Sequence, residues 1–213
     1  MRRMVIVFVG SVLLPVLFFS VGLGGEQESM PPEHRQKVIR IGESATSRLM
    51  QILSAHLQEA LAESDLEEAF EACAVLAQPL TAETPDLLPA GVSIKRTSFK
   101  FRNPENRPDR LEIEALRFFE QTLADQGSLP KNLIQQVETD TAYRFYRPLR
   151  VGELCLKCHA AREHLAPEVL RSLEENYPHD RAVGFALGDF RGVIRVSIPK
   201  HLVEADGGGE IRP

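Results

Sequence analysis

Ile194-Arg195-Val196-Ser197-Ile198 alternates apolar and polar side chains without a break. That is the period of a strand with one face in a core. Gly188-Asp189 just ahead of it is a turn signal, so the strand is expected to follow a tight reversal. Working back along the chain, Tyr143 to Tyr146 and Gln135 to Glu138 read as strands. Another strand is expected from Gly91 through Val92, Ile94 and Thr97. The loop Asn103-Pro104-Glu105-Asn106-Arg107-Pro108-Asp109 carries three turn signals. Asp109 can cap a helix that Gly127-Ser128 ends after about Gln126. A short helix is expected around Pro167 to Glu175.

Helices lead the chain. Pro31 and Pro32 close a linker and can open a helix from Glu33 to about Ala62. Its stripe is Val38, Ile41, Ala45, Leu49 and Ile52, at three- and four-residue spacing. Ser64 and Glu67 form a capping box for a second helix, with Leu66, Phe70, Cys73 and Ala77 on one face and Pro79 at its end. Helices first and clustered strands later, with hairpin-like turns, predict an α+β fold, not a parallel doubly wound sheet.

Composition bounds the rest. The chain has 213 residues, 43% of them hydrophobic and 26% charged, with a net charge of −5. That supports one folded domain with a real core. An acidic balance argues against nucleic-acid binding and against a polybasic attachment to anionic lipid. Arg2 and Arg3 precede an apolar run over residues 4–23. This reads as an export signal, with Gly22 and Gly24 as small residues for cleavage. The run is also long enough to serve as an uncleaved membrane anchor. The expected organisation is a signal peptide or anchor over 1–25, a linker over 26–32, one domain over 33–203 and a disordered tail over 204–213. The folded part is expected outside the cytoplasm, in the periplasm.

Cys155-Leu156-Lys157-Cys158-His159 is C-x-x-C-H, the attachment sequence of c-type haem. Two thiols at this spacing can each add to one vinyl group of a single porphyrin, and the following imidazole can reach the iron. A thioredoxin-like redox pair would sit at the start of a βαβ unit. A zinc site would need a second Cys/His pair. A structural disulfide is the third alternative. The adjacent His and the export signal favour one covalent haem. For the sixth ligand, Met30, Met50, His34, His56, His164, His179, His201 and Cys73 are available. His179, in a loop, is a live candidate. Cys73 is the odd thiol, and a small buried hydrophobe is its bland alternative.

The stretch from Ile94 to Asp109, IKRTSFKFRNPENRPD, resembles the signature of a bacterial exported haem-c domain family. Tyr146-Arg147-Pro148-Leu149 and the stretch from Tyr177 to Gly192, YPHDRAVGFALGDFRG, are similar to it as well. That family occurs as single-domain exported proteins, including in cyanobacteria, and as the outer domain of sensor kinases and chemoreceptors. The resemblance implies a PAS-like antiparallel sheet flanked by helices. It implies haem ligation by His159 on one side and by the Cys73 thiolate on the other. A thiolate ligand holds the potential low and leaves no open position, which suits a redox or gas sensor. The alternative is an envelope electron-transfer cytochrome; an enzyme acting at an opened haem is least favoured. Arg96, Lys95, Lys100 and Arg102 are candidates for the haem propionates, and Tyr146 and Arg147 for packing on or pairing with the porphyrin. Signalling is expected to pass to a separate partner protein. The surplus apolar face of the first helix suggests a homodimer.

Overall fold

The alternation around Val196 builds the centre of a sheet. The computed structural model describes residues 30–63, 69–70, 81, 88–136 and 141–205. Four strands, β1 (Ser93–Thr97), β2 (Leu133–Gln135), β3 (Ala142–Arg150) and β4 (Phe190–Pro199), form one antiparallel sheet in the order β1-β4-β3-β2. Ile94 and Phe145 stand opposite Val196, and Ile134 stands opposite Phe145. These apolar residues therefore share one face.

Helix α1 (Pro32–Glu63) lies across that face and buries Val38, Gly42, Ala45, Thr46 and Leu49. Of these, Val38 and Ala45 share a core cluster with Tyr143, Phe145, Val196 and Ile198. Gly42 is where helix and sheet come closest: a Cβ there would overlap the Phe145 ring. Arg147 ties the same contact by donating to Ser47 Oγ at 3.1 Å. Helix α2 (Arg110–Gln126) packs on the other face through Ala115, Leu116 and Phe119, against Tyr146 and Val193. Its ends fall where expected. Asp109 accepts from the Glu112 amide while Glu112 accepts from the Asp109 amide, and Gly127 turns left-handed at φ 67°. Glu112 is fully buried and also binds Lys95 at 2.7 Å and Arg195 at 2.9 Å.

The chain thus has the expected α+β, PAS-like architecture with a long N-terminal helix. Several bounds differ. β1 begins at Ser93, two residues past the expected Gly91. β2 begins at Leu133, because Leu133 and Ile134 pair with Tyr146 and Phe145; it ends at Gln135, and residues 137–140 lie outside the described part. β3 continues past Tyr146 through Pro148 to Arg150. Since β2 pairs no further than Tyr146, among the described strands Pro148 has β4 alone as a neighbour, an edge situation that proline tolerates. A last helix, α5 (Lys200–Glu204), reaches one residue into the expected tail. Lys37 of α1 donates to the Val203 and Ala205 carbonyls at 2.9 and 3.0 Å, and Tyr143 donates to Glu204 at 2.8 Å. The helix expected from Ser64, apart from Ala69 and Phe70, and the segment over 1–25 lie outside the described residues. Among the described residues no helix is long and apolar enough to cross a membrane.

Candidate functional site

A bulge between Leu149 and Arg150 ends the regular pairing of β3, a common device for redirecting a chain beside a site. The chain then turns into the single helical turn α3 (Leu156–His159), with Cys155 as its N-cap. The Cys158 and His159 amides donate to the Cys155 carbonyl at 3.2 and 3.0 Å. Residues three and four apart on a helix share a face, so the turn brings both thiols and the imidazole to one side. Both cysteines are partly accessible, and no disulfide joins them. Behind α3, helix α4 (Pro167–Asn176) contributes Val169 and Leu173 to an apolar cluster with Phe70, Ala160 and Leu165. Leu156 and Cys158 pack against it.

His159 is held from behind. Its Nδ1 lies 2.6 Å from the Ala182 carbonyl. A carbonyl only accepts, so Nδ1 carries the proton and Nε2 presents its lone pair. Arg102 Nη2 sits 3.4 Å from the same Nδ1; it donates instead to the Cys158 carbonyl at 2.7 Å. The Phe185 ring meets the imidazole edge-on, with centroids 6.3 Å apart. Burial, followed by the Arg102 and Arg191 charges, pushes the His159 imidazole down to about 3, so it stays neutral.

Guanidiniums gather around this ring. Arg96, Arg102 and Arg191 all act on His159 electrostatically. Burial lowers Arg191 to about 10, and Arg102 adds to the effect. Burial also lowers Arg96. The Asp180 carboxylate answers them, accepting from Arg102 Nε at 3.1 Å with its side chain fully shielded. Arg102 and Arg191 thus stand beside an apolar cluster, with Asp180 as a carboxylate partner among the described residues, and guanidiniums so placed suit an anionic ligand group.

The structure therefore brings together Cys155, Cys158, His159, Arg102 and Arg96. It does not bring Tyr146 to them. Tyr146 is fully buried under α2 and donates to Gln135 at 2.7 Å. The pleat turns it to the face opposite that of Arg96. Arg147 is engaged with α1, and Lys95 with Glu112. Lys100 donates to the Val183 and Gly184 carbonyls and lies 4.5 Å from the Phe185 centroid, so it braces the loop behind the motif. Of the other ligand candidates, His164 and His179 are exposed and Met30 is in the α1 core. Cys73 lies outside the described residues. Sequence reasoning missed Asp180, Ala182 and Arg191. The stretch from Tyr177 to Gly192 was noticed as a motif, but nothing in it local to the cysteines assigns those residues a task.

A family model described as Tll0287-like matches residues 28–199. A solved structure described as the crystal structure of the cyanobacterial heme-protein Tll0287 is similar at 27% identity and a TM-score of 0.57. The match covers 80% of this chain and 98% of that one. No curated protein matches the chain.

Proposed function

The chain belongs to the Tll0287-like family, and from that premise we propose that it is an exported single-haem c-type protein acting as a redox or gas sensor. The observation that carries this is the His159 ring. Its Nδ1–H is spent on the Ala182 carbonyl, and its Nε2 is left to ligate. The two thiols share its helical turn, and no disulfide joins them to each other. These residues fit haem c: Cys155 and Cys158 as thioether anchors, and His159 as an axial ligand. Arg96 and Arg102, with Arg191, would meet the two propionates. The neighbouring apolar cluster suits a porphyrin face. When bound, the haem supplies one-electron chemistry at iron.

The family resemblance and the leftover thiol together favour Cys73 as the opposite ligand. Phe70, three residues earlier in sequence, packs in the cluster that Cys158 adjoins, and Arg102 lies 5.2 Å from its ring centroid. A thiolate opposite imidazole holds the potential low and fills the sixth position, so sensing is preferred over catalysis. The second reading is electron transfer to an envelope partner. It is favoured by the partly accessible Cys155 between exposed Glu153 and Lys157, because an attachment edge near the surface shortens the path to a partner.

The test is to express the full chain with haem-c maturation machinery and extract it with acid–acetone. Haem should stay with the polypeptide. Complete loss of haem from the protein would refute the reading.

A further inference from the structure

We propose that Asp180 is a positioning residue for His159, acting through the Ala182 carbonyl, and that Arg102 locks it in place. The proposal rests on the haem reading above. It deepens that reading by naming what fixes the orientation of the histidine ring.

An imidazole on a one-turn helix can rotate about its side-chain bonds unless something holds its far nitrogen. Here that holder is the Ala182 carbonyl, at 2.6 Å. Ala182 itself lies between α4 and β4, where no helix or strand runs, so no ladder fixes its peptide. The peptides on either side of that carbonyl are pinned instead. Asp180 Oδ1 accepts the Ala182 amide at 3.0 Å, an Asx-type turn that holds the peptide just before the one carrying the carbonyl, and the Gly184 amide holds the peptide just after it by donating to the Ala160 carbonyl at 2.9 Å. The same Oδ1 accepts Arg102 Nε at 3.1 Å, and Arg102 Nη2 reaches across to the Cys158 carbonyl at 2.7 Å.

The contacts close a loop. They run from His159 to Ala182, Asp180, Arg102 and Cys158, which is bonded to His159. Two backbone bonds fasten the far side: Gly184 N–H to the Ala160 carbonyl at 2.9 Å, and Phe185 N–H to the His159 carbonyl at 3.0 Å. The Asp180 side chain is fully shielded, and its second oxygen, Oδ2, is buried without a hydrogen-bond partner among the described residues. A carboxylate is costly to bury in this way. Neutralising an arginine would not by itself require the amide of a loop residue two positions on. The geometry points to orientation as the task, because outer-shell partners of a metal-ligating histidine fix its ring plane and tune its basicity.

The experiment compares Asp180→Asn and Asp180→Ala in the full-length holoprotein. An Asn side-chain oxygen can still accept the Ala182 amide, whereas Ala cannot. Both variants lose the charge. The readouts are the g-values of the low-spin ferric EPR signal, which report the plane of the axial ring, and the reduction potential. Asp180→Asn should keep the parent g-values and raise the potential through charge alone. Asp180→Ala should shift the g-values or split the signal, and raise the potential further, since the Nδ1–H bond that makes the ring a better donor is weakened. Arg102→Lys keeps a charge but breaks the bridge to Cys158. It should shift the g-values in the direction of Asp180→Ala and by less, and it serves if the Ala variant does not fold. Parent g-values in every folded variant, or identical shifts in Asn and Ala, would overturn the proposal. A parent protein that loses its haem on extraction instead fails the haem reading, and this one with it.

Discussion

At the scale of single residues, Cys73 is where the proposed ligation is tested. Cys73→Ser should leave covalent attachment intact, because the proposal assigns attachment to Cys155 and Cys158. It should abolish the thiolate EPR signature and raise the reduction potential, since the strongest donor to ferric iron is gone. The vacated position should take up CO or NO more readily. Optical titration with EPR checks all three. A variant with the parent spectrum and potential would make Cys73 a packing residue and put His179 first, although His179 is exposed to solvent. The C-x-x-C-H motif was legible in the sequence because its five residues are consecutive and fold into one helical turn. Asp180 was not readable, because it acts on His159 through a peptide 23 positions away and only folding joins them.

Among the elements, α2 shows how a helix start can set an acid response. Burial pushes the Asp109 carboxyl up. The Glu112 amide and the Arg144 guanidinium, 2.7 Å away, more than offset this and hold it below its ordinary value. A carboxyl depressed by folding contributes stability that is complete above the unfolded-state value, and that stability is lost as pH falls through the folded one. Asp109→Asn should keep the cap, since Asn ranks with Asp there, while flattening the acid limb of stability. Asp109→Ala should cost about 1 kcal/mol at neutral pH. Urea denaturation at a series of pH values measures both. The bounds of α2 were legible because caps are local signals. Those of β2 and β3 were not, because a strand extends as far as a partner accompanies it. The burial of Glu112 between Lys95 and Arg195 was equally hidden, since those cations come from two different strands.

For the molecule as a whole, the acidic balance and the apolar run over 4–23 make a prediction about place. Cell fractionation should find the haem protein in the envelope. Mass spectrometry of its N-terminus should show either a start near Gly25 or an intact anchor; recovery of the folded haem protein from the cytosol would refute both. The α+β class was legible because helical and strand periods occupy separate parts of the chain. The sheet order was not, since β1 and β4 are about a hundred residues apart and their pairing is settled only by the register of Ile94 with Val196.

The lashing of Lys37 to the carbonyls of Val203 and Ala205 also has a geometric result. The chain enters and leaves the fold side by side, as a loop of thread enters and leaves a bead through one hole. A unit with neighbouring ends can be spliced into a host polypeptide without stretching the flanking segments. The same fold can then hang from a single tether or sit as an inserted module, with either arrangement leaving its internal packing untouched.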